Sequence, residues 1–386
     1  MNKNQSIQHV EDLILNGVDG INDATLFFRE LEKTFSGQTS KSIKTSLKWD
    51  GSPSIVCGTN PENGKFFVGT KSVFNKTPKI NYNIKDIQEN HKSNKNLIWI
   101  LSLLLKHLPE LNMDGIYQGD LLFWPRLIRQ RIIEGKKYLM FKPNSITYAV
   151  EKDSFSGKNI QSSQIGIVFH TKHTGRKMKT LKIDYNPDIS HFNDSKAVWF
   201  IDSSYNDIKG LTKTEKEYIH KELNSMEGGF GLEFFKELDK TPKIKTYLTR
   251  YINHNIKHNI KKFSSVSFIS WLSYRIEEEK RKLKSVKGKK NRDDIKAVIF
   301  SFIENNKKNF DLFFKTRNRL LKIKNIFINK INSSNKDIHT FFDIGNTVKR
   351  TAPEGLVVSA LGGRKIVKLI DRTEFSRKNF TISERK

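Results

Sequence analysis

Val10, Leu13, Ile14 and Val18, followed by Leu26, Phe27, Leu31 and Phe35, recur at three- and four-residue intervals, and this spacing predicts a short helical entry over residues 5–35. Between residues 46 and 71 the pattern changes. Ser54-Ile55-Val56-Cys57-Gly58 and Lys65-Phe66-Phe67-Val68-Gly69 are short β-type runs on either side of a turn-rich stretch, residues 59–64, so they predict a hairpin. Helical spacing returns over residues 84–111, where Ile98, Leu101, Leu104 and Leu105 form an apolar stripe. Strands are then expected at 115–123, 138–141, 145–150 and 164–171. A long segment of helical period, roughly 207–340, follows; Phe268, Trp271, Leu272, Ile299, Phe302, Phe313, Phe314, Leu320 and Leu321 are apolar enough for a bundle of its own. Strand texture resumes at 356–358 and 365–370. The expectation is an α+β fold: a helical entry at 1–40, a core formed by 41–205 together with 343–386, and a helical insertion at 206–342. No fixed-period repeat is present, which argues against a solenoid.

Composition narrows the partners. With 386 residues, 36% of them hydrophobic, the chain can fill the cores of more than one domain. Its 69 Lys and Arg against 41 Asp and Glu give a net charge of +28, which favours a polyanionic partner such as nucleic acid or nucleotide phosphates. Of those cations 53 are Lys, in a chain also rich in Asn, Ile and Phe, a bias that an AT-rich gene alone would also produce, so the charge by itself does not decide for nucleic acid. The single cysteine, Cys57, reads as a buried strand residue; it excludes an internal disulfide or a multi-cysteine metal site and fits a reducing compartment. The longest apolar stretch, residues 97–105, is about half the roughly 20 residues of a membrane span. Residues 1–20 lack the continuous apolar run of a secretory signal, so a cytoplasmic protein with no membrane partner is expected.

The first candidate for chemistry is Lys48-Trp49-Asp50-Gly51-Ser52-Pro53. A lysine beside an Asp-Gly turn can be held at the mouth of a sheet, where partial burial and neighbouring cations would depress its pKa and free a neutral amine for nucleophilic attack. By itself the hexapeptide is also compatible with a surface lysine before a turn. Further pieces follow in order: Gly69-Thr70-Lys71, Gly119-Asp120-Leu121-Leu122-Phe123, Ile165-Gly166-Ile167-Val168-Phe169, Pro353-Glu354-Gly355-Leu356-Val357-Val358 and Lys365-Ile366-Val367-Lys368-Leu369. This succession resembles the covalent nucleotidyltransferase superfamily of ATP-dependent DNA ligases, RNA ligases and mRNA capping enzymes. It frames residues 46–171 and 350–372 and leaves the helical block unmatched.

The resemblance implies a ligase-type adenylation domain interrupted by a basic helical domain, with ATP and Mg²⁺ as cofactors. Lys48 matches the lysine that attacks the α-phosphate and becomes a lysyl-nucleotide, with Asp50 and Gly51 in its turn. Thr70 and Lys71 match a pair near the ribose or the acceptor phosphate, Asp120 a carboxylate for ribose or metal, and Phe169 the aromatic that stacks on the purine. Glu354 matches a metal-binding acid, and Lys365 and Lys368 the lysines that grip the α-phosphate. The implied catalytic set is Lys48, Asp50 and Lys368, with Glu354 and Asp120 for the metal. Attack on a phosphorus ringed by anionic oxygens needs such a cationic and metallic environment.

Departures from the family pattern are Pro53 where DNA ligases have Arg, Asp120 where Glu is usual, and motif V lysines three apart rather than two. Alternation along a strand puts Lys365 and Lys368 on opposite sides, and Lys368 is favoured because Lys365 shares its face with Val367 and Leu369. Only 14 residues follow Arg372, too few for the C-terminal oligonucleotide-binding barrel of DNA ligases and capping enzymes.

Within the helical block, residues 280–292 hold Lys280, Arg281, Lys282, Lys284, Lys287, Lys289, Lys290 and Arg292 with no acid between them; Lys315, Arg317, Arg319, Lys322 and Lys324 recur at helical intervals nearby. Such stripes neutralise phosphates without reading bases, although a solvated helix face has the same composition. Two other signals are set aside: residues 58–65 lack the spacing of a phosphate-binding P-loop, and His170 with His173 lack a third metal ligand nearby. The expectation is an ATP-dependent polynucleotide ligase working on RNA or DNA ends as a monomer. The alternatives are nucleotidyl transfer to a protein or small molecule, an inactive nucleic-acid-binding homologue, and, least favoured, an assembly protein whose basic block packs acidic partners.

Overall fold

A computed structural model describes residues 7–38, 43–203, 210–226, 232–261, 263–331, 338–344, 347–351, 353–360 and 365–376. The chain forms two compact units, one of Met1–Ile7, Ser40–Lys209 and Lys330–Lys368, the other of Gln8–Thr39, Gly210–Asn329 and Leu369–Lys386.

The first unit carries the sheets, and it is α+β with antiparallel pairing predominant. One sheet orders Lys182–Tyr185, Ile165–Thr174, Ile116–Phe123, Ser54–Thr59 and Phe66–Gly69, with Val198–Asp202 added in parallel beside Ile165–Thr174. The expected hairpin is its Ser54–Thr59 and Phe66–Gly69 pair. Because side chains alternate along a strand, Ile55, Cys57, Tyr117, Leu121, Ile165, Ile167 and Phe169 share one face, which buries against Leu101 and Leu104 of the helix Lys95–His107. That helix begins where the Asn94 side chain accepts the Leu97 N–H at 2.9 Å. Burial of Cys57 in this core pushes its thiol pKa up.

A second sheet runs Thr347–Thr351, Ile338–Ile344, Thr147–Glu151, Lys136–Phe141, Arg129–Ile133, antiparallel throughout. In a third, Ile43–Leu47 pairs antiparallel with Gly355–Ala360, and Lys365–Ile370 lies on the far side of the latter. Arg129–Ile133, Lys182–Tyr185 and Val198–Asp202 are strands that hydrophobic periodicity does not predict. Most positions of the first two are exposed or only partly buried, so the backbone ladder rather than an apolar face holds them, whereas Val198 and Phe200 of the third pack on the core of the sheet.

The second unit is helical: Gly17–Phe35, Lys213–Asn224, Leu232–Lys240, Ile244–Lys257, Ser265–Arg281, Val286–Asn305 and Lys307–Ile331. Thr212 and Glu215 form a reciprocal capping box at the start of the second of these. Tyr251 lies 5.1 Å from Phe268, 5.6 Å from Trp271 and 5.7 Å from Phe314, which confirms the aromatic core read from the sequence. The division of the chain differs from the expected one. The N-terminal helix belongs to this bundle, since Phe28 stacks on Phe327 at 5.9 Å and Phe35 meets the same ring edge-on at 5.1 Å. Among the described residues no helix is long and apolar enough to cross a membrane.

Candidate functional site

The first unit contains a cleft of about 340 Å³ lined by Lys48, Lys71, Asp120, His170 and Lys368 among others. Register explains how Lys48 arrives there. Ile43–Leu47 pairs with Gly355–Ala360 so that Leu47 faces Leu356, and the Lys48 N–H then donates to Gly355 O at 2.9 Å. This brings Lys48 level with Glu354, 306 positions away in the chain, and Nζ donates to Glu354 Oε2 at 2.7 Å. Gly355 has φ 145°, a region that other residues enter only at a cost, so the glycine is what lets the chain present Glu354 and enter the strand in one step.

The electrostatics run opposite to expectation. Burial does act to lower the Lys48 pKa, but the carboxylate of Glu354, with Asp120 and Asp50 behind it, outweighs burial and raises it. Glu354 is buried, and desolvation pushes its own pKa up against the pull of Lys48 and Lys368. The pair therefore holds its proton tightly, and Lys48 rests as an ammonium.

Asp50 does not line the cleft. Its carboxylate accepts from Asn144 Nδ2 at 2.8 Å and from the Ser145 and Ile146 N–H groups at 2.7 and 3.1 Å, so it anchors the turn after Lys48 to the loop before Thr147–Glu151. Gly51 is needed for close approach: a Cβ there would sit 2.6 Å from Asp120 Cβ and 2.9 Å from Leu121 O. Gly51→Ala is accordingly expected to destabilise the first unit by about 1–3 kcal/mol in urea unfolding. An unchanged midpoint would mean that the turn and the Asp120 strand are not packed this way.

Asp120 reaches the cleft through the sheet. Ser54, Asp120 and Val168 are aligned across three strands, as are Val56, Gln118 and Thr171. Between those rows Ile165–Thr174 has one extra residue, His170, a β-bulge that breaks the alternation and aims the ring at Asp120, with Nε2 3.6 Å from Oδ1. Burial pushes Asp120 up, but His170, Lys48 and the Ser54 hydroxyl outweigh it and hold the carboxyl below its ordinary value. A strand pattern read at strict period two puts His170 beside Val168 on the cleft side but gives no warning of the bulge, which adds Thr171 and His173 to that side.

Phe169 is on the other face. It is fully buried, edge-on to Tyr117 at 6.0 Å and to Phe192 at 5.4 Å, and its ring belongs to the core rather than the cleft. The stacking role implied for Phe169 is therefore corrected: the aromatic groups lining the cleft are Trp49, His170, His173 and Tyr185. Trp49 packs on Tyr148 at 5.0 Å, and its buried indole Nε1–H has no partner among the described residues. Thr70 lies beside the cleft, where its hydroxyl accepts the Ser72 N–H at 3.3 Å and starts the turn that carries Lys71. Lys368 lines the cleft together with Ile366, two residues earlier on the same face, whereas Lys365 does not. Lys48, Asp120, Lys71 and Lys368 thus line the cavity and Glu354 joins them through its contact with Lys48, while Asp50, Gly51, Thr70, Phe169 and Lys365 are not among its lining residues.

In the helical unit the basic run 280–292 spans the end of Ser265–Arg281 and the start of Val286–Asn305. Acids that flank the run on the same two helices partner some of it: Lys280 pairs with Asp293 at 2.5 Å, Arg281 with Glu278 at 2.7 Å and Arg292 with Glu279 at 3.4 Å. Lys282, Lys284, Lys287, Lys289 and Lys290 are exposed, with no ion pair among the described residues. Arg317 does not belong to a surface stripe. It is 1% exposed and held by Asp12 at 2.8 Å, while Arg319 pairs with Glu222 at 3.0 Å.

Residues 4–384 match the family described as "Family of unknown function (DUF6267)". No curated protein and no solved structure matches the chain.

Proposed function

The chain belongs to the DUF6267 family, whose description names no activity, and from its own cleft we propose that it is an ATP-dependent polynucleotide ligase acting through a covalent lysyl-AMP. The observation that carries this reading is the contact between Lys48 and Glu354, drawn from opposite ends of the β unit, in a cleft that also holds Asp120, His170, Lys71 and Lys368. A primary amine, the Asp120 carboxylate and two further cations line the cavity, with Glu354 paired to the amine, a set that suits nucleotidyl transfer.

In the proposed reaction Lys48 Nζ attacks the α-phosphorus of ATP, the N–P bond forms as the α–β P–O bond breaks, and pyrophosphate leaves. Two protons depart, one from the ammonium before attack and one as the phosphoramidate forms. Glu354, in contact with Nζ, is the first acceptor, and water carries them away. Lys71 and Lys368 neutralise the phosphate oxygens. Asp120 and Glu354 are the residues that would hold Mg²⁺, which when bound withdraws charge from the phosphates and prefers one or two carboxylates beside phosphate oxygens. AMP then passes to a 5′-phosphate, and a 3′-hydroxyl displaces it to form the phosphodiester. RNA and DNA ends are both compatible with the cleft, and so is GTP in place of ATP.

Incubation of the protein with α-labelled ATP and Mg²⁺ is expected to leave an acid-labile label on the chain, and nicked duplexes or single strands with a 5′-phosphate should be joined. Absence of any label removes the lysyl-nucleotide; label without joining moves the acceptor to a protein or small molecule. The five exposed lysines of the helical unit lead to a separate expectation: log binding constant for duplex should fall with log salt with a slope of about −4 to −5 when all five touch phosphates. A flat salt response would exclude this face from strand binding.

A further inference from the structure

The helical unit has a cavity of about 910 Å³, larger than the Lys48 cleft and lined wholly by residues of that unit. Behind its wall lies a buried charge network: Lys324 donates to Glu11 Oε1 at 2.7 Å and to Ile370 O at 2.9 Å, and Asp12 accepts from Arg317 at 2.9 Å and from Arg372 at 2.6 Å. Three cations share two carboxylates. All five side chains are at most 15% exposed, so the surplus positive charge is screened poorly by water.

The donors are in surplus as well. Arg317 Nη1, Arg372 Nε and Asn255 Nδ2 are buried with no hydrogen-bond partner among the described residues, and all three residues line the cavity. Arg317, Arg372 and Asn255 are 1%, 7% and 2% exposed, so water does not readily supply what is missing. The acids of the wall are already engaged. Glu11 holds Lys324, although its Oε2 has no partner, and Glu222 holds Arg319; Asp311 accepts the Ser265 N–H, and Asp371 accepts those of Thr373 and Glu374. At the rim Lys261, Lys315 and Lys322 are exposed and have no acidic partner among the described residues.

We propose that this cavity is a binding site for a compact phosphate group, either a free polyphosphate or the terminal phosphate of a strand. Unpartnered N–H donors set behind a surface, under a rim of lysines, suit an anion that enters the cavity end-on; the continuous backbone of a duplex presents its phosphates at a surface and does not reach them. The proposal rests on the helical unit alone and is independent of the lysyl-nucleotide reading.

The test is calorimetric titration of the full chain carrying Lys48→Ala, Lys71→Ala and Lys368→Ala with inorganic tripolyphosphate, so that the three lysines of the other unit's cleft do not contribute. One site is expected, weakened about tenfold or more by Lys315→Gln with Lys322→Gln, whose exposed side chains leave the fold intact. Asn255→Leu removes an unpartnered buried donor. It should weaken tripolyphosphate by a similar factor while leaving the thermal midpoint of the unliganded chain unchanged or raised, an outcome that a purely structural asparagine would not produce. Displacement of tripolyphosphate by a 5′-phosphorylated oligonucleotide, but not by its 5′-hydroxyl counterpart, identifies a strand end; displacement by neither identifies a free polyphosphate. The proposal is overturned by absence of binding, by binding indifferent to both sets of substitutions, or by equal displacement with the two oligonucleotides.

Discussion

Lys48→Ala is expected to eliminate the covalent nucleotide label, because the proposed reaction forms its N–P bond at Lys48 Nζ and not at Lys71, Lys368 or the histidines that also line the cleft. Lys48→Arg should do the same, since a guanidinium keeps its proton and cannot offer a lone pair. The resting state adds a second expectation. With Glu354 2.7 Å away and Asp120 and Asp50 nearby, the Lys48 pKa is raised, so near neutrality only a small fraction of the amine is free. Adduct formation should therefore accelerate by about tenfold per pH unit as pH rises, until the pKa of the amine in the loaded cleft is passed. A pH-independent rate would mean that nucleotide and metal binding removes the proton entirely, and label persisting in Lys48→Ala would displace this lysine from its role. Glu354→Gln discriminates further. It frees the amine from its ion pair yet removes the proposed proton acceptor and metal ligand, so a slower reaction with a less steep pH dependence is expected.

The second large effect concerns stability, in the helical unit. Glu11 and Lys324 are both fully buried and paired at 2.7 Å, with Arg317 and Arg372 close by. Removing one member of a buried pair leaves a charge without compensation, a loss of about 3–5 kcal/mol. The surplus of cations makes the two single substitutions unequal. Glu11→Gln leaves Lys324, Arg317 and Arg372 facing Asp12 alone, whereas Lys324→Met leaves Glu11 with two guanidiniums in reach. Glu11→Gln should therefore fall at the upper end of that range and Lys324→Met below it. The double variant Glu11→Met with Lys324→Met should recover most of the loss, because two apolar side chains of similar volume need no compensation. Denaturant unfolding of the four proteins measures the coupling directly, and additive losses would show that the two groups do not act as a pair.

Local structure was legible wherever a buried face repeats with a regular period. The stripe Leu101, Leu104 and Leu105, the hairpin 54–69 and the aromatic positions of the bundle all follow from apolar residues whose spacing can be matched to a helix or a strand. Lys48, Asp120, Glu354 and Lys368 were candidates from their order along the chain, and alternation correctly separated Lys368 from Lys365. The role implied for Phe169 came from the resemblance and not from this rule, which puts Phe169 with Ile165 and Ile167 in the core; the inserted residue changes faces only beyond His170, where Thr171 and His173 also line the cleft.

The amino-acid order by itself determined most of the helices and the strands with a buried face, which side chains are apolar and which bear charge, but not Arg129–Ile133, Lys182–Tyr185, Val198–Asp202 or Ile338–Ile344. It also determined the short-range turn chemistry that lets Gly51 and Gly355 hold their neighbours in place. Only the tertiary structure decided which charges meet. The proton of Lys48 is held by a carboxylate 306 positions away, and Arg317 and Lys324, which the helical spacing put on a basic face, are buried against Asp12 and Glu11 near the other end of the chain. The physical reason is that backbone preferences act over a few residues, whereas Coulomb energy and desolvation depend on distance in space and on burial, and neither of these is written in the spacing of residues along the chain.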